Sequence, residues 1–338
     1  MPIANIKLIA GIGLVTAALG LSGGVARAQA TPVTIALPAI SVLFLAEYVA
    51  EDAHIWEKEG LAVKVLNISG IGSINAVISK SADFSMSSGP SITRAYAHGQ
   101  KLVALATALN QSGQDVVLRK DIADAAHFDP KAPLAERAKV LKGRTIVIDG
   151  INSAAHSYLR VIAQAGGVDP DSITVTALQP QEMLGAYARH QVDGISLGPP
   201  WPQTIEHDGG AVVIASGING DPSWLSPIGS ATVITRPQFC VDHRSVCEKM
   251  GHAMILASNY VHEHPAESLA ILEKRFDKTD KAVVAASFEV MRKAMPRPPT
   301  VTAEALSNAD QINVVAGFIK PEDKLKTYDD LFTNEFLR

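Results

Sequence analysis

Apolar residues recur at every second position from Leu61, through Val63 and Val65, with Lys64 on the other side of the alternation and Asn67 and Ile68 closing it. The period then lengthens. After the small-residue loop Ser69-Gly70-Ile71-Gly72-Ser73, Ile74, Val77 and Ile78 fall on one helical face. A short apolar run, Ala82 to Met86, and a second loop, Ser87-Ser88-Gly89-Pro90-Ser91, open another helical pattern. Alternation followed by helical spacing marks a β-α-β-α run on a parallel sheet. Ser73 is placed to cap the first helix, and Pro90 suits the first turn of the second, where a missing N–H loses nothing. In open α/β sheets such loops lie at the carboxyl ends of the strands, where ligands bind. Two helix starts with free N–H groups among serines offer a place for an anion or polar head group. Neither loop holds an acid, base or metal ligand, which favours binding over catalysis.

The same reading extends along the chain. Pro32 to Pro38 is a first strand, and Ser41 lies in the loop before a helix rich in Leu43, Leu45, Ala46 and Val49. Gly60 ends the helical stretch through Ile55-Trp56. Leu102 to Ala106 reads as a strand buried on both faces, and Asp115 to Arg119 as another. Residues 120–139 are polar and helix-like, broken at Pro130 and Pro133, and suggest an excursion between domains. The plan then restarts: strand Gly143–Ile148, loop Asp149-Gly150-Ile151-Asn152-Ser153, a helix ending at Gly166-Gly167, and strand Ile173–Leu178. Gln179-Pro180-Gln181-Glu182 opens a helix, and strand Val192–Leu197 runs into Gly198-Pro199-Pro200-Trp201. Ala82-Asp83-Phe84-Ser85-Met86 and Val192-Asp193-Gly194-Ile195-Ser196 occupy the same place in two copies of one plan. A last strand, Ala231 to Thr235, precedes amphipathic helices over 246–262, 266–276, 281–295 and 303–317. The pattern predicts an α/β protein of two doubly wound lobes with a cleft between them and a helical C-terminal tail packed on the first lobe. The first lobe takes residues 29–118 and 230–338, the second 119–229.

Residues 1–28 read as a cleaved secretory leader: Lys7, an apolar stretch, then Ala26-Arg27-Ala28 or Ala28-Gln29-Ala30 as the cleavage pattern. The roughly 310 residues that follow suit two ordinary domains, and 47% hydrophobic with 19% charged residues supplies a core for each. A net charge of −4 argues against a nucleic-acid partner, which needs clustered cations. The two cysteines, Cys240 and Cys247, suit a short disulfide loop in an exported chain. A metal site there with His243 would have three ligands and the wrong spacing.

Three patterns carry a resemblance: Ile55-Trp56-Glu57-Lys58-Glu59-Gly60-Leu61-Ala62-Val63; Lys142-Gly143-Arg144-Thr145-Ile146-Val147 with Asn152-Ser153-Ala154-Ala155-His156; and Leu178-Gln179-Pro180-Gln181-Glu182-Met183 leading to Val192-Asp193-Gly194. In this order the chain resembles the NMT1/THI5-like, sulfonate/nitrate/taurine-type family of periplasmic substrate-binding proteins. The resemblance implies a type II periplasmic-binding fold whose lobes are joined by two crossings, near Leu118-Arg119 and Ile228-Gly229. It also implies delivery of a small solute to an inner-membrane ABC permease with its ATPase, by a periplasmic monomer without cofactor. Carried over, the pocket is Ser41 with Leu43, Ser73, Ser87 with Ser88, Asn152-Ser153 with His156, and Pro200-Trp201. Hydroxyls and N–H groups would fix an acid or sulfonate, and Trp201 would cover the remainder. No Arg or Lys falls in these loops, and Arg94, inside a helix, is expected to be solvated. An organic acid, a sulfonate or a neutral heteroaromatic therefore fits better than an inorganic anion.

Other chemistries find less support. Gly70-x-Gly72 lacks the third glycine of a dinucleotide loop. His262-Glu263-His264 reads as a charged helix end before Pro265 rather than a metal site. His156 is open to ligand contact or to a structural hydrogen bond. No G-x-S-x-G elbow is present. The pyrimidine-synthesising enzymes of this broad family carry a cysteine-rich iron-binding segment that has no counterpart here, so the chain is not expected to be an enzyme. A sensory binding protein would use the same fold. Neighbouring genes, for a permease and ATPase or for a receptor, would separate the two.

Overall fold

The computed structural model describes residues 30–338, so the expected leader lies outside the described residues. Ten strands are found among the described residues: β1 Thr31–Leu37, β2 Leu61–Asn67, β3 Phe84–Ser87, β4 Val103–Thr107, β5 Asp115–Arg119, β6 Thr145–Ile148, β7 Thr174–Ala177, β8 Gly194–Leu197, β9 Ala211–Ser216 and β10 Thr232–Thr235. Helices of seven residues or more are α1 Leu45–Asp52, α2 Gly72–Ile78, α3 Gly89–Ala97, α4 Ala154–Ala165, α5 Pro180–Ala188, α6 Trp201–His207, α7 Arg244–Glu263, α8 Pro265–Arg275, α9 Lys281–Ala294 and α10 Ala303–Val315.

The strands form two five-stranded sheets of identical plan, β2-β1-β3-β10-β4 and β7-β6-β8-β5-β9. In each, the first three strands are parallel and the fourth is antiparallel to both neighbours. The repeated aspartates explain part of the duplication. Asp83 accepts from the Thr34 amide at 2.8 Å and Asp193 from the Thr145 amide at 2.8 Å, so each carboxylate ties the entry of the third strand in the sheet order to the second, β3 to β1 and β8 to β6.

The fourth strand of each sheet is supplied across the lobe boundary, and this moves the first crossing from its expected place. β5 belongs to the second sheet, so the chain crosses within residues 108–114, not at Leu118-Arg119. Strand 115–119 reads the same whichever sheet receives it, because both faces are buried. The return crossing occupies residues 217–231 and runs beside the first. Ser230 N–H donates to the Leu109 carbonyl at 2.8 Å, and Ile228 N–H to that of Asn110 at 2.9 Å. Residues 120–139 pack on the second sheet, with Ala123 and Ala138 buried.

Helices α7 and α8 pack on α1 of the first lobe, as the tail was expected to do, but α10 lies against both α3 and α4 and so touches both lobes. Cys240 and Cys247 are joined as a disulfide, with Cα atoms 5.6 Å apart. Ser73 is not the cap of α2. The helix begins at Gly72, and the Ser73 hydroxyl donates back to the Gly70 carbonyl at 3.1 Å. Among the described residues no helix is long and apolar enough to cross a membrane.

Candidate functional site

The carboxyl ends of β1, β3, β6 and β8 and the amino ends of β5 and β10 converge on a cleft enclosing about 560 Å³ of space between atoms, part of it open to solvent. From the first lobe come Pro38, Ala39, Ser41, Leu43, Phe44, Gly70, Ser87, Ser88 and Ser91. Asp149, Ser153, Ala154, Leu197 and Gly198 come from the second lobe, and Gln114, Ser230 and Ala231 from the crossings. Among the described residues that line it, none is His, Lys, Arg or Cys.

Five of the ten residues singled out from sequence, Ser41, Leu43, Ser87, Ser88 and Ser153, lie on this wall. Ser87 is fixed from behind, its Oγ 2.8 Å from Ser85 Oγ and 3.1 Å from Ser73 Oγ, so Ser73 supports the wall without forming it. Ser88, at the start of α3, donates to Ser91 Oγ at 3.1 Å. Ser153 caps α4 by accepting from the His156 amide at 3.2 Å, and the remaining first-turn N–H groups of that helix have no partner within it.

The packing places the other expected contacts off this wall. Trp201 does not line the cleft: its indole N–H donates to the Ile40 carbonyl at 2.8 Å and its ring meets Phe276 edge-on at 6.1 Å. Pro200 follows a cis bond from Pro199 and also lies off the wall, as the residue preceding α6. Asn152 adopts a left-handed conformation, φ 63°, and its N–H donates to His156 Nδ1 at 3.0 Å. His156 therefore takes the structural hydrogen bond. Burial, then the charges of Arg160 and Arg94, hold its pKa down to about 4, which keeps the ring neutral and able to accept.

Arg94, expected in solvent, is 5% exposed. Its guanidinium donates to Asn313 Oδ1 at 3.1 Å and to the Asn152 carbonyl of the opposite lobe, and lies 4.7 Å over the Phe318 ring. Reading the helix alone gave no sign of this, because both acceptors are far away in sequence. Burial also lowers its pKa to about 10, still well above neutral pH.

Asp149 was missed. It follows β6 directly, lines the cleft and carries a buried Oδ1 without a hydrogen-bond partner. Burial raises its pKa to about 6, against partial compensation from Ser153. The signal was present in sequence as the only acid among the small-residue loops at strand ends.

The lobes touch across the cleft. Ser41 Oγ donates to the Pro199 carbonyl at 2.6 Å, and the Val42 amide shares that acceptor at 3.0 Å. Gln179 donates to Ser69 Oγ at 2.9 Å. The loops at Gly70 and Gly150 approach so closely that a Cβ on Gly150 would stand 3.5 Å from Gly70 Cα. Among the described residues no group of three or more His, Cys, Asp or Glu side chains is placed to hold a metal ion.

A family model described as "NMT1/THI5 like" matches residues 43–268. Comparison with curated proteins finds no match. Among solved structures, a protein of Bordetella bronchiseptica RB50 is similar at 17% identity, TM-score 0.81, over 92% of this chain and 96% of that one. The alkanesulfonate-binding protein SsuA from Xanthomonas axonopodis pv. citri, bound to MOPS, is similar at 17% identity, TM-score 0.69, over 90% and 100% of the two chains. The periplasmic nitrate-binding protein NrtA from Synechocystis PCC 6803 is similar at 15% identity, TM-score 0.69, over 91% and 87%. The likeness is one of fold: two α/β lobes in the periplasmic-binding-protein arrangement.

Proposed function

Because the chain belongs to the NMT1/THI5-like family, we propose that it is an exported solute-binding protein that captures a small polar solute, an organic acid or sulfonate, and delivers it to an ABC importer. The observation that supports this most is the cleft itself. Serine hydroxyls and the starts of α3 and α4, from separate lobes, meet on one cavity whose lining lacks a nucleophile paired with a histidine base. Such a surface holds a solute by donated hydrogen bonds and releases it when the lobes part. A monomer in the periplasm, working with a permease and its ATPase, is the assembly this reading entails.

Native mass spectrometry of protein purified without denaturation is the direct test, and a small solute retained at one per chain is the expected result. With that solute, Ser88→Ala should weaken binding by about tenfold, roughly 1–2 kcal/mol, while the ligand-free protein melts as before. Catalytic turnover of the solute, or no binding of any small polar solute by the refolded protein, would remove this function.

A further inference from the structure

Within the cleft, two oxygens are left without partners: Asp149 Oδ1 from the second lobe and Gln114 Oε1 from the first crossing. A buried acceptor without a donor is unfavourable, and more so when it is charged. Of the nearby hydroxyls, Ser41 donates to the Pro199 carbonyl and Ser88 to Ser91, and Ser153 compensates the carboxylate only in part. No cationic side chain lines the cavity to balance the carboxylate. Gln114 can turn its amide over and present N–H instead of oxygen, so it sets no sign. A carboxylate has no such freedom. Asp149 receives partial compensation from Ser153, and its Oδ1 is left without a donor from the protein.

We propose that the solute carries a nitrogen-bound donor, an ammonium or protonated amino group, that docks on the Asp149 carboxylate and distinguishes the true solute from other small acids. The inference rests on the solute-binding reading and narrows its ligand class. The acidic end of the same solute meets the first-turn N–H groups of α3 and α4, so the cleft is polarised: donors at the helix starts, an acceptor at Asp149. A charge-assisted N–H to carboxylate bond in a closed cavity is among the stronger single contacts available to a small ligand.

The test uses the mature protein, freed of retained solute by unfolding and refolding, and matched probes that differ only in the nitrogen. Taurine is set against isethionate, β-alanine against 3-hydroxypropionate, and a wider panel of amino acids against their hydroxy analogues, by thermal shift and calorimetry. The expected result is that at least one amino member binds ten-fold or more tightly than its hydroxy partner, and that Asp149→Asn abolishes the difference. Should that variant fail to fold, the wild-type pair comparison still decides. Hydroxy members binding as tightly as their amino partners, or a preference that survives Asp149→Asn, would overturn the inference and leave solute binding standing. Failure of the whole panel to bind would overturn both.

Discussion

Among the described residues, four carboxyls each carry a buried oxygen without a partner, and burial raises the pKa of all of them: Glu47 to about 8, Asp115 to about 7, Asp149 to about 6, and Asp310 above its ordinary value. A folded-state pKa above the unfolded value means that the native state keeps protons the unfolded chain has released. Stability from these groups is therefore full at low pH and falls as pH rises from about 4 towards each folded value. His156 works in the opposite sense, its contribution present above pH 6.5 and lost as pH falls towards about 4. Above pH 6.5 only the acids act, so the ligand-free protein should melt lower at pH 8 than at pH 6.5 by calorimetry. Glu47→Gln should recover on the order of 2–4 °C at pH 8. A melting point that climbs with pH would show these carboxyls paired after all. Trp201 makes a second prediction at this scale. Its ring is 6% exposed and packed on Phe276, so Trp201→Ala should lower stability by about 3–5 kcal/mol in the absence of ligand. Unchanged melting with lost affinity would return the ring to the cavity wall.

Among the elements, α10 and the turn after it hold the lobes together. Arg94 from α3 reaches Asn313 on α10 and the Asn152 carbonyl before α4, and the guanidinium groups of Arg94 and Arg160 lie 4.7 and 5.4 Å from the centre of the Phe318 ring. Arg94→Met keeps the apolar stem but removes the bond to Asn152, so solute should dissociate several-fold faster. Stopped-flow displacement measures this, and a lower melting point with an unchanged dissociation rate would confine Arg94 to packing. The disulfide sits elsewhere, beyond the end of β10 remote from the cleft. Closing so short a loop adds about 2–3 kcal/mol. The double Cys→Ser variant should therefore melt lower and bind solute as tightly as the parent.

At the scale of the whole molecule, closure depends on small residues where the lobes meet. A Cβ on Gly198 would stand 2.7 Å from Leu43 Cδ1 and 3.0 Å from Ser41 Oγ, and both belong to the other lobe. Gly198→Leu should wedge the cleft, enlarge the radius of gyration in small-angle scattering, and prevent the compaction that solute causes in the parent. Compaction equal to the parent's would show that the lobes close by another path.

The two-lobe plan was legible in sequence because it is written in local periods. Alternation marked the strands, helical spacing marked the helices, and Asp83 and Asp193 marked the repeat. The serine loops were legible for the same reason, since a strand end and a helix start bring them to the same edge of each lobe. What only the tertiary structure decided were the partners of particular side chains. Strand 115–119 is apolar enough for either sheet, and its pairing with β8 and β9 chose the second. Trp201 was drawn from the cavity by Ile40 and Phe276, and Arg94 from solvent by Asn313 and Asn152, all distant in sequence. Asp149 was left with an unpartnered oxygen because no cationic side chain lines the cleft. Burial and pairing are properties of surfaces that meet after folding, and a local sequence period carries no record of which surfaces those are.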